Sequence, residues 1–371
     1  MDEKRFMQRA IELAKKGGGF TLPNPMVGAV IVRDGRIIGE GWHMKCGGLH
    51  AERNAFASLT GPAEGADMYV TLEPCCHYGR TPPCTEAIIG HGIRRVFIGS
   101  RDPNPLVSGK GAAILREHGI EVIEDYMKEE CDEINPVFFH YITTNMPYTA
   151  MKYAITLDGK IASYTGASKW ITGETAREHV HSLRGFYSAI IAGIGTVLAD
   201  DPMLNCRIEG SHQPVRVVVD SDLRIPPDSR LCLSAGEYPL LIACCRADDR
   251  KKSELEALGA EVCILPEKNR RVDLTELLKL LGKKQLAGVL IEGGGTLNEA
   301  FLRTGLVDHL YAYIAPKLMG GRDARTAVEG LGAASPDECA SLANRRITLL
   351  GEDILLEYDV KGGILDVHRD N

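Results

Sequence analysis

The chain has 371 residues, of which 44% are hydrophobic and 25% charged, with a formal net charge of −7. These values fit a folded globular protein of two or three domains and exclude general disorder. The acidic balance and only 6% aromatics argue against a protein built to grip long nucleic acid, while leaving room for a small anionic substrate in a local basic pocket.

Residues 2–16 place Phe6, Ala10, Leu13 and Ala14 on one face, which predicts an amphipathic helix. Val27 to Val32 is apolar and β-branched, and Asp34-Gly35 before Ile37-Ile38 signals a hairpin. Helices follow over 51–59, 85–90 and 111–118, with strands over 67–72, 95–99 and 120–123. Strands alternating with helices imply a three-layer α/β domain. The pattern breaks over 135–148, at Asn-Pro, Thr-Thr-Asn and Met-Pro, and the domain boundary is expected there, giving domains 1–145 and 146–371. A second alternating series has strands over 149–155, 189–193, 215–219, 239–243, 261–265 and 287–291. Its helices cover 174–187, 249–258, 272–282 and 296–304, and Thr175 with Glu178 is a candidate capping box for the first of them.

Eleven cysteines are odd in number, widely spread and twice adjacent, a poor disulfide framework. The N-terminus lacks an apolar core of signal-peptide type, and the longest apolar run, 188–199, is too short and glycine-rich to span a bilayer. A cytoplasmic protein without membrane association is expected.

The strongest chemical signal is His50-Ala51-Glu52, then Pro74-Cys75 and Cys84. Zinc favours imidazole and thiolate, and catalytic sites keep three protein ligands plus water. Glu52, two residues past the histidine, is placed to carry protons between that water and a leaving amine. The order matches zinc nucleobase deaminases, H-x-E then P-C-x-x-C, except that the second cysteine of that spacing would fall on Tyr78; Cys84 lies further on. A structural zinc site would need a fourth ligand, for which Cys46, Cys76 and His77 are candidates. In the second half, Val289-Leu290-Ile291 followed by Gly293-Gly294-Gly295 and Thr296 reads as strand, turn and helix start. Glycines there let backbone N–H groups approach a pyrophosphate at a helix N-terminus. Gly193-Ile194-Gly195-Thr196 reads as a second glycine turn, and Ser168, Arg184 and Arg207 are candidates to hold a substrate phosphate. The Rossmann G-x-G-x-x-G is absent, and no motif for a cofactor 2′-phosphate stands out.

His50-Ala51-Glu52, Thr71 through Cys84 (TLEPCCHYGRTPPC) and Arg101-Asp102-Pro103-Asn104-Pro105 together resemble the bifunctional riboflavin biosynthesis deaminase–reductase family, RibD, which uses the longer cysteine spacing. The resemblance continues through Lys152 to Ala162, Ser168 to Thr172, Gly193 to Pro202, Leu204 to Arg207, Ile291 to Leu297 and Ala315-Pro316-Lys317, roughly residues 2–358. It implies a three-layer cytidine-deaminase-like N-terminal domain and a dihydrofolate-reductase-like α/β C-terminal domain, a zinc-dependent pyrimidine deaminase joined to an NADPH-dependent reductase. The implied zinc ligands are His50, Cys75 and Cys84, with Glu52 the catalytic proton shuttle. Ala154, Trp170, Thr196, Asp200, Ser221 and the loop Gly294, Gly295, Thr296, Leu297, Asn298, Glu299 and Ala300 are implied to line NADPH. Ser168, Arg184, Leu204, Arg207 and Glu292 are implied to meet the substrate, with Lys152 a catalytic or orienting group. Asn24, His43, His77, Arg80, Asp102 and Asn104 are candidate deaminase-pocket residues.

The implied reactions are hydrolytic deamination of 2,5-diamino-6-(5-phosphoribosylamino)pyrimidin-4(3H)-one and reduction of the ribosyl group of 5-amino-6-(5-phosphoribosylamino)uracil to ribityl. The expected partners are this phosphorylated pyrimidine and further copies of the chain, as a dimer or tetramer, and not nucleic acid or membrane. The rival reading is a nucleoside or nucleic-acid deaminase with an added nucleotide-binding domain. A basic, aromatic-rich groove would mark it.

Overall fold

The structure is a computed structural model and describes residues 3–78, 82–104 and 107–364. The chain divides into two compact units, Met1–Asn145 and Met146–Asn371. No helix among the described residues is long and apolar enough to cross a membrane.

In the first unit, strands β1 (Gly28–Arg33), β2 (Arg36–Trp42), β3 (Asp67–Leu72), β4 (Arg95–Ser100) and β5 (Glu121–Ile123) form a sheet in the order β2-β1-β3-β4-β5. The β1–β2 turn puts both Asp34 (φ 52°) and Gly35 (φ 72°) in the left-handed region, as a two-residue hairpin between right-twisted strands requires. Side chains alternate between the faces of the sheet. Ala29, Ile31, Met68, Val70, Val96 and Ile98 share a core with α2 (Ala51–Ala57), α3 (Cys84–Gly90) and α4 (Lys110–Glu117). On the other face Tyr69 stacks on Phe97 and meets Phe6 of α1 (Lys4–Lys15). The expected three layers are present. Helices α5 (Lys128–Asp132) and α6 (Pro136–Thr144) complete the unit. The segment 135–148, read from its sequence as a break, therefore contains a helix. Pro136 sits in its first turn, where a missing N–H costs nothing.

The second unit holds a nine-stranded sheet in the order β10-β9-β8-β7-β13-β6-β14-β16-β15. Its strands are β6 (Tyr148–Thr156), β7 (Ala189–Gly193), β8 (Val215–Val219), β9 (Leu240–Cys244), β10 (Ala260–Ile264), β13 (Gly288–Ile291), β14 (His309–Ala315), β15 (Ser341–Leu350) and β16 (Asp353–Lys361); β11 (Glu267–Lys268) and β12 (Arg271–Val272) form a separate hairpin. From β10 to β14 all neighbours are parallel, and β16 and β15 add antiparallel pairs. Strands β9 and β13 are buried along their whole length, as parallel strands covered on both faces must be. Helices α11 (Leu274–Lys283) and α12 (Gly295–Thr304) cover one face through Leu277, Leu278, Leu281 and Phe301.

Helix α7 (Glu174–Phe186) is not closed by a Thr175–Glu178 box. Its N-cap is Gly173, whose N–H donates to Asp353 Oδ2 at 2.7 Å, so a distant carboxylate takes the capping place. Gly193 to Thr196 is not a free turn either: β7 passes directly into α8 (Ile194–Asp200). Helices α9 (Arg230–Leu233) and α10 (Asp249–Ala257) complete the unit.

Candidate active sites

In the first unit, three soft donors converge beyond the C-terminal end of β3. His50 is the N-cap residue of α2, Cys75 lies in the loop after β3, and Cys84 opens α3. The backbone N–H groups of Cys84 and Thr85 donate to the Cys75 carbonyl at 3.1 and 3.2 Å, which brings the two cysteines together across the long insertion. His50 Nδ1 stands 3.4 Å from Cys75 Sγ and 3.4 Å from Cys84 Sγ. A tetrahedral zinc with ordinary Zn–S and Zn–N bonds has an S···N edge of about 3.6 Å, so the cluster fits that ion. All three ligand atoms lie within 4.8 Å of one another, and among the described residues no fourth His, Cys, Asp or Glu joins them. Cys46, Cys76 and His77 thus stay outside, and the set has the open form of a catalytic zinc site.

The electrostatics agree. The Cys75 thiol is lowered to about 4, first by its hydrogen bond with Cys84 and then by His50, while Cys84 is pushed up as its partner. Two adjacent thiols cannot both ionise without a cation, and a divalent metal removes that conflict. Burial raises Glu52, which is only 3% exposed, as suits a carboxyl that carries a proton near neutral pH. His43 faces His50 edge-on at 5.5 Å between ring centres. With Nδ1 donating to the Leu49 carbonyl at 3.0 Å, His43 Nε2 accepts from Asn24 Nδ2 at 3.2 Å. Burial lowers this histidine, keeping it neutral.

Glu73, which the sequence reading passed over, fixes the Cys75 loop from behind. Its Oε2 accepts from the Gly109 N–H at 3.0 Å and its Oε1 from Ala112 at 3.3 Å. Its one sequence signal was adjacency to Pro74-Cys75. Asp102 is buried and raised to about 6 by that burial. His77 is exposed, and Arg80 and Pro105 lie outside the described residues.

In the second unit, a cavity of about 1190 Å³ opens outside the C-terminal ends of β6, β7, β8 and β13. That is where open parallel sheets hold ligands, and the space exceeds the roughly 300–1,000 Å³ of common small-ligand pockets. Ala154, Trp170, Thr196, Asp200, Ser221, Gly294, Gly295, Thr296, Leu297, Glu299 and Ala300 all line it, as do Lys152, Ser168, Arg184, Leu204 and Glu292. Two expected residues do not. Asn298 is fully buried, and its Nδ2 donates to the Ala327 carbonyl at 2.8 Å, so it braces the loop from beneath. Arg207 is exposed, held at its backbone N–H by His181 Nδ1 at 3.2 Å, and stands off the wall.

At the floor, Arg184 clamps Glu292 in two bonds, 2.6 and 2.9 Å, and Lys152 Nζ stands 3.5 Å away. Burial pushes the Glu292 carboxyl up, but the charges of Arg184 and Lys152 override it and hold it at about 2. Burial lowers Lys152. The glycine turn fits a dinucleotide. A Cβ on Gly295 would stand 2.6 Å from the Thr326 carbonyl, whereas one on Gly294 would meet nothing nearer than Thr196 Oγ1 at 3.7 Å. The chain therefore closes tightly into α12 and leaves its N-terminal N–H groups beside open space, as a pyrophosphate requires.

Two family models match the chain: the RibD C-terminal domain over residues 147–356, and the cytidine and deoxycytidylate deaminase zinc-binding region over residues 1–100. The riboflavin biosynthesis protein RibD of Actinobacillus pleuropneumoniae is 52% identical over 360 residues, 97% of this chain and 96% of that protein. The solved structure of Acinetobacter baumannii RibD is 40% identical with a TM-score of 0.85, covering 96% of this chain and 98% of that one. A Thermotoga maritima diaminohydroxyphosphoribosylaminopyrimidine deaminase/5-amino-6-(5-phosphoribosylamino)uracil reductase is 37% identical with a TM-score of 0.84 over the same shares.

Proposed function

The chain belongs to the RibD family of riboflavin biosynthesis proteins, and from that premise we propose how its own residues divide the work of a bifunctional deaminase and reductase. The substrates are 2,5-diamino-6-(5-phosphoribosylamino)pyrimidin-4(3H)-one for the first unit and 5-amino-6-(5-phosphoribosylamino)uracil for the second. The observation that carries the reading is the three-ligand set of His50, Cys75 and Cys84 with buried Glu52 beside it.

Zinc held by those ligands acidifies a water and so supplies a nucleophile at neutral pH. Glu52 takes the proton released and returns it to the departing ring amine, so that ammonia leaves. Neutral His43 and Asn24 shape the pocket rim, and Glu73 keeps Cys75 in place. In the second unit NADPH, when bound, would supply a hydride to C1′ of the ribosyl group in its ring-opened imine form, in which the C1′–O4′ bond has broken, and the imine nitrogen would take a proton. The α12 N-terminus and Thr196 would hold the cofactor phosphates, Trp170 and Ala154 would line the same cavity for the cofactor, and Arg184, Glu292 and Ser168 would hold the substrate. Lys152 orients the reacting group from beside Glu292.

Full-length zinc-loaded protein is incubated with the diaminopyrimidinone phosphate, with and without NADPH, and read by mass spectrometry. Deaminated product without NADPH and ribityl product with it are expected. Glu52→Gln should lose deamination by about 100-fold or more while keeping zinc and the reduction of supplied uracil substrate. Undiminished deamination by that variant would remove Glu52 from its role.

The reading includes self-association in the cytoplasm. It is supported by β15, the outer edge of the large sheet, where Leu342, Ile347 and Leu349 are 46%, 57% and 73% exposed. Unpaired apolar edges are normally covered. Sedimentation should give a dimer or larger, and Leu349→Lys should shift it towards monomer; a monomeric parent would refute this part.

A further inference from the structure

Strand β8 carries an arginine among its valines. Arg216 is fully buried. Its neighbour Val217 belongs to the core under α11 and α12, so Arg216 points to the opposite face of the sheet. Burial lowers its guanidinium only to about 10, and it stays charged at neutral pH. A buried charge is costly unless hydrogen bonds replace its water. Here the acceptors are all neutral oxygens, and among the described residues no carboxylate pairs with Arg216. An apolar side chain of similar length would fill the same space without a buried charge, so packing alone gives no reason for arginine at this place.

The fork reaches two separate segments. Nη2 donates to the carbonyls of Leu231 at 3.2 Å and Ser234 at 3.3 Å, and to that of Tyr238. Nη1 donates to Ser234 Oγ at 2.7 Å and to the Met203 carbonyl at 3.4 Å. Leu231, Ser234 and Tyr238 belong to α9 and the turn after it, whereas Met203 lies in the loop after α8. That loop needs holding. Asp201 (φ 39°) and Leu204 (φ 51°) are both left-handed, a conformation that L side chains rarely adopt and keep only where their surroundings impose it. The same partner secures the start of the loop: Asp201 Oδ1 accepts from the Arg230 N–H, at the beginning of α9, at 2.9 Å.

The loop in turn meets the cavity. The Leu204 side chain is buried and lines it. The Asn205 carbonyl accepts from Arg184 Nη1 at 3.2 Å, beside the clamp on Glu292. Arg216 itself, with Leu231, Ser234 and Tyr238, stands behind this wall and not on it.

We infer that Arg216 is a positioning residue of the reductase: by holding the Met203 carbonyl it fixes Leu204 and the Asn205 carbonyl, through the latter it fixes Arg184, and so it sets the affinity for the pyrimidine substrate and not that for the dinucleotide. The inference rests on the reductase reading above, which puts Arg184 on the substrate. The glycine turn before α12, which would cradle the dinucleotide phosphates, belongs to another element and receives no bond from Arg216.

The test uses full-length protein, with NADPH-dependent reduction of 5-amino-6-(5-phosphoribosylamino)uracil measured by steady-state kinetics and NADPH binding by calorimetry. Arg216→Met keeps the bulk and removes the donors. It should raise the KM for the uracil substrate about tenfold, the value of one lost charge-assisted contact, and leave the Kd for NADPH unchanged. The kcat should stay within about twofold, as when binding is lost equally from substrate and transition state. Arg216→Lys, which keeps a charged donor, should recover part of the affinity. Asp201→Gly releases the loop from its other end, at a left-handed position that glycine tolerates, and should raise the same KM by a smaller factor. Circular dichroism checks the fold of each variant, and if Arg216→Met does not fold, the lysine and glycine variants carry the comparison. An unchanged substrate KM in the folded variants, or an equal loss for substrate and NADPH, would overturn the inference while sparing the reductase reading. Wild-type protein that reduces no uracil substrate would remove both.

Discussion

The deaminase residues were legible because their chemistry is local in sequence: His50 and Glu52 are two apart, and Cys75 and Cys84 bracket a single loop. Asp102 was legible only as a pocket candidate, and its energetic role needed the fold. Its carboxyl accepts from the Asn104 N–H at 2.8 Å but is buried beside Glu73, and burial raises it from 3.8 to about 6. The folded state therefore binds this proton more tightly than the unfolded chain, so the group's contribution to stability falls as pH rises from about 4 through 6. Asp102→Asn keeps an acceptor without the charge. The variant should melt at a higher temperature than wild type above pH 6, with the difference vanishing towards pH 4. Thermal unfolding across pH 4–8 checks this, and a difference constant with pH would refute it.

At the scale of elements, periodicity located the strands of both units well where burial on both faces makes them continuous apolar runs. It gave no strand at the short β11 and β12, nor at β14, β15 or β16: β15 is exposed along most of its length, and β14 and β16 bury residues without strict alternation, so none shows the pattern that marks a half-buried strand. It started α7 at residue 174, as observed, but misread its cap, where the local Thr175–Glu178 pattern lost to Asp353, 180 residues away. That bond joins the start of β16 to the helix that carries Arg184. Asp353→Ala removes the acceptor of the Gly173 N–H, whose residue is exposed to water, and should cost about 1 kcal/mol. Urea unfolding should show the loss, with Asp353→Asn recovering part of it; full stability in the alanine variant would mean that water caps the helix instead.

For the whole molecule, the two units hold different chemistry in different kinds of site, and metal removal should separate them. Three ligands bind zinc in the folded unit far better than in an unfolded chain, so the ion stabilises residues 1–145 by mass action. Chelation should abolish deamination and lower the melting of that unit, while NADPH-dependent reduction of supplied uracil substrate continues; zinc should restore the first activity. Loss of both activities together would show that the second unit also depends on metal. By itself the sequence determined the α/β character of both units, the metal-ligand candidates and the glycine turn before α12, because each depends on residue type and short spacing. Only the tertiary structure decided that Arg184 and Lys152 meet on Glu292 and that Asn298 braces rather than lines. Those relations join residues scores of positions apart, through sheet order and burial that no local pattern records.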